Sequence, residues 1–286
     1  MAEIAASLVM QLRGMSGQGM MDCKKALGES GGDLEKAMDI LRKKCLATMA
    51  KRAERDTKEG KVVCQVDKGG KLVAMATLCC ETDFVSNSED FKALAAVVGD
   101  YALACAVDSG ADALMDTVLN GKKLSERITD VVSKTGEKTQ ICDYARYSMS
   151  SAGFVGYYVH FNNKVGTMLE IETSADSVND AVKTVVTDIA MHVAAMKPAG
   201  LDPQSIDPAI IAKEREIAAE QVKNKPANII EKIVDGKIKK FFEDSCLISQ
   251  PFVKDATKTV EAVLNEAAKK AGGTAKIKRF VRFEIG

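Results

Sequence analysis

The sequence predicts an α+β protein: an N-terminal bundle of three helices, two related lobes that are small antiparallel sheets covered by helices, and an inserted helical hairpin. Three observations support this prediction. Positions 1–50 show only helical spacing of apolar residues, two later segments share one strand–turn–strand–helix pattern, and a charged stretch between prolines shows helical spacing twice more. At 286 residues the chain is long enough for several domains.

Residues 1–50 are predicted to form the three short helices of the bundle. One face of the first helix carries an apolar residue at every fourth position, namely Ile4, Leu8 and Leu12. Glycine-containing breaks at 16–19 and 28–32 separate the helices, and Asp33 is placed to cap the third. Residues 51–59 are dense in charge and are predicted to be a linker.

An internal repeat predicts the two lobes. Residues 60–80 fit two strands around a glycine turn, and residues 156–173 repeat the pattern around an asparagine turn. Matching positions lie 93 residues apart, as in the pairs Val66 and Val159, Lys71 and Lys164, and Met75 and Met168. The helices that follow, from Phe91 and from Val182, match at a separation of 91. Each is expected to cover one face of its sheet.

Lobe one is predicted to span residues 60–148, and lobe two residues 149–200 together with 241–286. Residues 201–240, which divide lobe two, are predicted to form the inserted hairpin of two amphipathic helices. Such a hairpin exposes an apolar seam unless something covers it. Self-association through residues 201–240 and a hairpin lying flat on its own domain are therefore both open. A basic, aromatic strand over 276–285 is expected to join the second sheet.

The charge and hydropathy of the chain exclude several classes of partner. Lys plus Arg number 40 and Asp plus Glu number 40, so no overall field favours nucleic acid or an anionic membrane. No apolar run reaches the about 18 residues that a membrane-spanning helix needs. Because the N-terminus also lacks the pattern of a signal or transit peptide, we expect a cytoplasmic protein that binds neither nucleic acid nor membrane.

Catalytic and metal-binding motifs are missing from the sequence. Eight cysteines include no Cys-x-x-Cys pair, and the two histidines, His160 and His192, lie far from one another. We expect buried thiols in a reducing compartment, with Cys79 and Cys80 on opposite faces of a strand. Phosphate-loop, dinucleotide and Gly-x-Ser-x-Gly motifs are absent. We therefore predict no catalytic residue, metal or cofactor, and a protein that is not an enzyme.

The segment 79–87 is the most informative part of the chain. An apolar strand ends there in a short acidic, polar turn that carries one large aromatic, Phe84. From the pattern alone, Phe84 either packs on the following helix as a hydrophobic staple or is presented to a partner. Other residues also allow a structural interpretation instead of a contact with a partner. One of Met20 and Met21 can fill the bundle core, and Lys24 can be a solvated surface residue. His192 is expected to be a packed core residue.

Residues 12–27 read LRGMSGQGMMDCKKAL, and residues 80–87 read CETDFVSN. These two motifs resemble the signatures of the elongation factor Ts family. The segments 191–198 (MHVAAMKP) and 250–252 (QPF) also resemble family segments, and all four follow in the family's order and spacing. The chain is identified from these motifs as a member of that family, over its length from Ile4 onward.

The resemblance implies a guanine-nucleotide exchange factor for elongation factor Tu, acting on the GDP-bound and nucleotide-free partner. In that reading the N-terminal bundle is ubiquitin-associated-like and docks on the partner's GTPase domain. The segment 82–85 contacts the same domain. Its Asp83 and Phe84 enter between helices of that domain and disturb the magnesium and phosphate site. GDP is then released and GTP can load. His160 contacts a β-barrel domain, and residues 201–240 mediate dimerisation in some members. The implied partner-binding residues are Leu12, Arg13, Met20, Met21, Lys24, Thr82, Asp83, Phe84, Val85 and His160.

The chain departs from the family at two places. The family hairpin usually reads His-x-Gly/Ala-Arg-Ile-Gly, whereas residues 160–166 read HFNNKVG. The sequence stops at Gly286, so the contact that a further C-terminal helix makes in some members is expected to be lacking. Two other classes of function compete: a general ubiquitin-associated-like interaction module without exchange activity, and a thiol-dependent enzyme that uses Cys79 or Cys80.

Overall fold

The structure is a computed structural model that describes residues 4–149, 152–223 and 226–286. Three helices form the N-terminal bundle: α1 (Ala6–Ser16), α2 (Met20–Glu29) and α3 (Leu34–Lys51). Asp33 caps α3 as predicted, since its carboxylate accepts hydrogen bonds from two backbone amides of the first turn. The bundle core is small and apolar, formed by Val9, Leu12, Cys23, Ala26, Leu27, Ala37 and Leu41. Its likeness to a ubiquitin-associated domain remains a prediction.

Lobe one is a three-stranded antiparallel sheet covered on one face by helices. The strands are β1 (Glu59–Val66), β2 (Leu72–Cys80) and β5 (Thr139–Ser148), in the order β1-β2-β5. The helices are α4 (Asp83–Ser86), α5 (Glu89–Ala104), α6 (Ala111–Asp116) and α7 (Leu124–Thr135), with a two-residue pair, β3 (Val118–Leu119) and β4 (Lys122–Lys123), between α6 and α7. Alternate residues of β2 face the helices, because successive side chains of a strand point to opposite faces.

Lobe two repeats this plan. Its strands are β6 (Gly153–Val159), β7 (Val165–Thr173) and β10 (Ala275–Glu284), in the order β10-β7-β6. The covering helices are α8 (Asp176–Met196) and α11 (Val260–Lys270), and a short pair, β8 (Pro251–Phe252) and β9 (Asp255–Thr259), precedes α11. The last strand joins the second sheet beside β7, as the sequence predicted. The α+β class is thus confirmed.

Strand register supports the internal repeat. Val66 pairs with Val73 in lobe one, and Val159 pairs with Gly166 in lobe two, each 93 residues further along. The two hairpins also start with a glycine at the same place. Gly60 has φ of 144° and Gly153 has φ of 138°, and a side chain on either would meet a carbonyl oxygen of the neighbouring strand at 2.1 Å.

The uncovered faces of the two sheets pack on each other, so the molecule has helices outside and two sheets between them. This interface is apolar and includes Val62, Met75, Cys79, Ala145, Tyr147, Val155, Met168 and Ile285. The close approach depends on Gly166, where a Cβ would lie 2.5 Å from the Val62 side chain. The β6–β7 turn is also tied to β1, because the Val62 amide donates to the Asn163 carbonyl at 2.7 Å.

The inserted hairpin comprises α9 (Pro208–Glu220) and α10 (Ala227–Ser245). The two helices pack on each other around three buried residues, Ala218, Val234 and Ile238. The base is anchored to lobe two by hydrogen bonds between residues 199–201 and 245–248. Positions 224 and 225, in the predicted connecting turn, lie outside the described residues. Ile210, Ile217 and Ile229 remain exposed, and self-association through them stays a prediction.

Candidate partner-binding surface

The corner between β2 and α4 presents a phenyl ring to solvent. Phe84 is 84% exposed, whereas Phe91, the first apolar residue of α5, is 0% exposed. The staple interpretation of Phe84 is therefore wrong, because the ring does not pack on the following helix. The side chain of Asp83 beside it is also exposed, so the corner displays a carboxylate next to an aromatic ring.

Hydrogen bonds fix the backbone of this corner. Thr82 caps α4, since its hydroxyl accepts a hydrogen bond from the Val85 amide at 3.4 Å. The carbonyl of Asp83 accepts from the Ser86 hydroxyl at 3.0 Å and from the Asn87 side-chain amide at 2.9 Å. Val85 is buried and Thr82 is half-buried. These two predicted contact residues therefore support the corner, while the side chains of Asp83 and Phe84 point outward.

Two carboxylates, those of Glu137 and Glu81, support the corner through hydrogen bonds, and we call these two side chains the buttress. Glu137, which precedes β5, accepts from the Thr82 amide at 3.1 Å and from the Thr82 hydroxyl at 2.9 Å. Glu81 accepts from Arg52 at 3.2 Å, from Arg55 at 2.8 Å and from the Lys138 amide at 2.7 Å. Burial opposes ionisation of Glu81, but the Lys138 amide and the Arg55 guanidinium outweigh it and hold the pKa of Glu81 below its usual value.

Sequence reasoning missed this buttress. Glu137 lies 55 residues from Thr82 along the chain, and no local pattern links the two positions. The linker after α3 ties into the same network, because the Lys138 ammonium donates to the Ala53 carbonyl at 2.6 Å and to the Arg55 carbonyl at 3.0 Å. The linker and the corner are therefore connected through Glu81 and Lys138.

The N-terminal bundle exposes a methionine-rich surface. Arg13, Lys24, Met20 and Met21 all reach solvent, so both methionines are at the surface and neither fills the core. Met10 and Met15, which sequence reasoning did not single out, are also exposed. Leu12, in contrast, is 0% exposed and belongs to the bundle core. Its side chain has no free surface to offer, and it holds α1 in place beneath the exposed residues.

The bundle is docked on α7 of lobe one. Arg42 forms an ion pair with Glu126 at 2.6 Å, and the Gln18 side-chain amide donates to the Ser133 carbonyl. The hydrogen bond to Glu126 raises the pKa of Arg42. The Lys134 side chain of α7 lies over Gly17 at the end of α1. The Lys134 ammonium also forms an ion pair with Asp90 of α5 at 2.6 Å. The bundle and the corner are thus held on one framework.

The β6–β7 turn presents a second aromatic ring. Phe161 is 87% exposed, and its ring centroid lies 4.4 Å from that of His160. His160 is half-buried, and its Nδ1 shares a hydrogen bond of 2.7 Å with the Tyr158 hydroxyl. The exposed aromatic side chain of this turn is therefore Phe161, directly before Asn162, where the sequence departs from the family pattern.

His192 is a core residue, as expected. It is buried, its Nε2 bonds to the Gln250 side-chain oxygen at 2.9 Å, and its Nδ1 accepts from the Val253 amide at 3.1 Å. The amide can only donate, so Nδ1 carries no proton and Nε2 does. Burial lowers the pKa of His192, and the hydrogen bond to Gln250 opposes this in part.

Six of the eight cysteines are buried, as expected, and Cys64 is half-buried. Cys79 faces the interface between the sheets and Cys80 faces the helices, as predicted for neighbours on a strand. The expectation of buried thiols is wrong for Cys142, which is exposed because it lies on the edge strand β5. Within residues 4–149, 152–223 and 226–286, no group of three or more His, Cys, Asp or Glu is placed to hold a metal ion. None of the helices in these ranges is long and apolar enough to cross a bilayer.

Comparison with known proteins agrees with the motifs. The family model "Elongation factor TS" matches residues 81–286. The elongation factor Ts of a Nitratiruptor species is 42% identical over 285 residues, covering 99% of this chain and 93% of that relative. That of Desulfovibrio desulfuricans is 41% identical, covering 100% of this chain and 99% of the relative. The chain belongs to the elongation factor Ts family. It is thereby an elongation factor of protein biosynthesis.

The alignments with the elongation factor Ts relatives include both the N-terminal bundle and the corner between β2 and α4. The relative from Nitratidesulfovibrio vulgaris is 39% identical over 287 residues, 99% of this chain and 96% of its own length. The family model begins at Glu81, directly before the corner, whereas the full-length relatives also include the bundle.

Proposed function

We propose that the chain is the guanine-nucleotide exchange factor of elongation factor Tu, which binds the GDP-bound partner, promotes GDP release and so allows GTP to load. The observation that supports this most is the 84% exposure of Phe84 on a corner whose backbone is fixed by Thr82 and Glu137. A large apolar side chain held rigidly in water has no role in its own fold. It is suited to burial in another protein.

The proposed mechanism needs no catalytic group. A protein that binds nucleotide-free elongation factor Tu more tightly than the GDP-bound form must weaken GDP binding by the same factor. The insert therefore has to fit one state of the partner better than the other. Phe84 supplies apolar area for this purpose and Asp83 a negative charge. We propose that both enter between helices of the GTPase domain and disturb its magnesium and phosphate site.

The remaining predicted contacts divide into two groups. Arg13, Met20, Met21 and Lys24 are exposed on the bundle and are proposed to dock on the GTPase domain. Leu12, Thr82 and Val85 are proposed to act from beneath the surface, because their side chains are buried or half-buried. At the β6–β7 turn we propose that the partner's β-barrel domain contacts His160 together with Phe161, which covers one side of the imidazole.

The inserted hairpin is a candidate for self-association, so that the factor would act as a dimer of one-to-one complexes. Ile210, Ile217 and Ile229 support this through their exposure on α9 and α10. The mass of the factor co-eluting with elongation factor Tu decides between a one-to-one complex and its dimer. A one-to-one mass at all concentrations would remove this role from the hairpin.

Replacement of Phe84 by alanine tests the exchange function. Removing a central aromatic contact costs roughly 2–4 kcal/mol of binding energy. At about 1.4 kcal/mol per tenfold change, the acceleration of GDP release should fall by about 1.5 to 3 orders of magnitude. The measurement is stopped-flow release of a fluorescent GDP analogue from elongation factor Tu. Val253→Ala, which truncates another exposed apolar side chain in lobe two, should leave the rate unchanged.

Two outcomes would contradict the proposal. If the unaltered chain captures elongation factor Tu without accelerating GDP release, the protein is an interaction module without exchange activity. If Phe84→Ala accelerates release as well as the unaltered chain does, the corner is not the inserting element.

A further inference from the structure

The connection between β2 and α4 consists of two residues, and each is held by a different part of the chain. Strand β2 ends at Cys80 and α4 begins at Asp83, so only Glu81 and Thr82 lie between them. Thr82 is bound by Glu137, directly before β5. Glu81 is bound by the linker that follows the N-terminal bundle. The linker therefore reaches a residue that leads directly into the exposed corner.

The linker forms a hydrogen-bonded turn that brings two arginines to one carboxylate. The Arg52 amide donates to the Thr48 carbonyl at 3.1 Å, and the Arg55 amide donates to the Arg52 carbonyl at 3.0 Å. The nearest guanidinium nitrogens of Arg52 and Arg55 lie 3.2 and 2.8 Å from the Glu81 carboxylate. The Glu81 side chain is only 13% exposed. Because this carboxylate is sheltered from water, it attracts the arginines more strongly than a fully exposed carboxylate would.

Lobe two contains the counterparts of the elements that surround Glu81. Helices α7 and α11 each follow a short strand pair and precede the third strand of their sheet. The two helices match at a separation of 136 residues, and their buried positions agree. These buried positions are Leu124, Ile128 and Val132 in α7, and Val260, Leu264 and Ala268 in α11.

The comparison of the lobes separates the shared scaffold from what lobe one adds. Glu81 corresponds to Ser174 at the separation of 93, and Lys138 corresponds to Thr274 at the separation of 136. The same hydrogen bond joins both pairs. The Lys138 amide donates to the Glu81 carboxylate at 2.7 Å, and the Thr274 amide donates to the Ser174 hydroxyl at 3.0 Å. A serine therefore makes the bond that both lobes share, and the two ion pairs to the linker are specific to Glu81.

The other anchor of the connection is also specific to lobe one. Glu137, which holds Thr82, corresponds to Gly273 at the separation of 136. Gly273 has no side chain that could hold the residues between β7 and α8. Lobe one thus has two anchoring carboxylates at the place where it also has the exposed Phe84, whereas lobe two adopts the shared plan without them.

We propose that Arg52 and Arg55 of the linker are positioning residues for nucleotide exchange, which act on Phe84 through Glu81. This role rests on the proposed function. A corner that is already held in its bound orientation loses little conformational entropy when the ring enters the partner. Without the arginines the connection gains freedom, which has to be lost again at each insertion. Because the bundle still docks, the maximal rate of GDP release should fall much more than the half-saturating concentration of the factor rises.

Variants on the two sides of the contact test this role by stopped-flow GDP release from elongation factor Tu. Arg52→Gln/Arg55→Gln removes both cations, and Glu81→Ser introduces the residue of lobe two and keeps a hydroxyl for the Lys138 amide. Each should lower the maximal rate about 3- to 30-fold, as expected for the loss of two sheltered ion pairs. All three substitutions together should lower it no further, because they act through one contact.

Two further variants serve as controls for charge. Arg52→Lys/Arg55→Lys retains both cations and should keep part of the maximal rate. Arg127→Gln, which removes an exposed arginine of α7, should leave it unchanged. Denaturant titration should show that Glu81→Ser and Arg52→Gln/Arg55→Gln remain folded. Since these two variants alter opposite sides of the contact, loss of the fold in one leaves the other to decide.

Hydrogen exchange of the free protein distinguishes failure of this role from failure of the proposed function. The Ser86 and Asn87 amides donate to the Thr82 and Asp83 carbonyls within the corner, and both should exchange faster in the two variants and unchanged in Arg127→Gln. If the unaltered protein does not accelerate GDP release, the proposed function fails and the positioning role fails with it. The positioning role alone is overturned if the variants reach the unaltered maximal rate, if their effects add, or if the corner amides keep their protection.

Discussion

Lobe one and lobe two are built on one plan, and they differ where a strand passes into its covering helix. In lobe two, β7 ends at Thr173 and the continuous helix α8 begins at Asp176. At the separation of 91 that relates Val98 to Ile189, the start of α8 corresponds to Val85. Thr173, in turn, corresponds to Cys80 at the separation of 93 that relates the strands. Lobe one therefore has four residues, 81–84, where lobe two has two, 174 and 175, and the exposed corner lies in this longer connection.

The hairpin turns of the two lobes also differ, and here it is lobe two that carries the exposed aromatic residue. Both turns close in the same way, with the Asp67 amide bonded to the Leu72 carbonyl at 2.9 Å and the His160 amide bonded to the Val165 carbonyl at 2.8 Å. Lobe one carries Lys68 where lobe two carries the exposed Phe161. Phe84 in lobe one and Phe161 in lobe two are thus the most exposed aromatic rings of their lobes, at different places on the shared plan. The comparison indicates that the scaffold supplies stability and that its local departures carry the exposed rings of the proposed partner surface.

The largest effect on stability is expected at Phe91, the buried counterpart of the exposed Phe84. Phe91→Ala removes a fully buried ring from the core of lobe one and should lower the free energy of unfolding by about 3–5 kcal/mol. Phe84→Ala, seven positions earlier, should change it by no more than about 0.5 kcal/mol. Chemical denaturation followed by circular dichroism measures both. A loss of stability in Phe84→Ala comparable to that in Phe91→Ala would mean that the corner is part of the fold.

Matched glycine substitutions test the equivalence of the lobes. Gly60→Ala and Gly153→Ala each place a Cβ 2.1 Å from a carbonyl oxygen, at backbone angles that residues other than glycine rarely adopt. Backbone strain of this kind costs about 1–3 kcal/mol, and the clash adds to it. We expect both variants to be destabilised to a similar extent in denaturant titrations. Gly236→Ala in α10, which meets nothing within 4 Å, is the control and should not destabilise the protein. Tolerance at only one of the two sites would break the equivalence.

A smaller effect is expected at Glu137, which lobe one uses to hold its additional corner. The loss of two hydrogen bonds to an ionised carboxylate in Glu137→Ala should weaken the positioning of Phe84 by about 1–2 kcal/mol, or about 5- to 30-fold in GDP release. A positioning role lowers the maximal release rate at saturating factor more than it raises the half-saturating concentration. Glu137→Gln should recover part of the rate. Glu266→Gln, which removes a paired carboxylate in lobe two, is the control.

Features that are specified by residues close together in the sequence could be predicted, whereas features that depend on residues far apart in the sequence could not. Hairpins, covering helices and the Asp33 cap follow from local periodicity and turn chemistry, and they were predicted. Exposure of Phe84 was left open, because one aromatic after a strand can pack on the next helix or away from it. It is decided by the Ser88 cap of α5, which starts a new helix with Phe91 in the core.

Features that depend on β5 were not predicted. Glu137 reaches the corner only because β5 pairs with β2 from a distant part of the chain. The burial of His160 likewise depends on the neighbouring Tyr158 ring and on a turn that packs against β1. Long-range strand pairing leaves no short-range signature in a single sequence, and the hydrogen bonds of Glu137 to the corner are therefore seen only in three dimensions.

The smallest expected effect concerns pH, and it should distinguish the two lobes at equivalent helix positions. Tyr101 in α5 and His192 in α8 correspond at the separation of 91, and both are buried. The Tyr101 hydroxyl donates to the Lys122 carbonyl at 2.8 Å. His192 has a lowered pKa, so the unfolded chain binds this proton more readily than the folded one. The stability that neutral His192 provides is complete above the unfolded pKa of about 6.5 and is lost as the pH falls from there through the folded-state pKa.

Denaturant midpoints between about pH 7.5 and 5.5 measure this dependence in a range where carboxylates scarcely titrate. We expect the midpoint of the unaltered protein to fall with decreasing pH, and the fall to be reduced in His192→Gln. His160→Gln is the matched control, because His160 is the other histidine of the chain and is only half-buried. Hydrogen exchange should place the acid-induced opening in α8, with the amides of α5 unchanged. If His160→Gln removes the dependence and His192→Gln retains it, the pH response belongs to the β6–β7 turn and not to the core of lobe two.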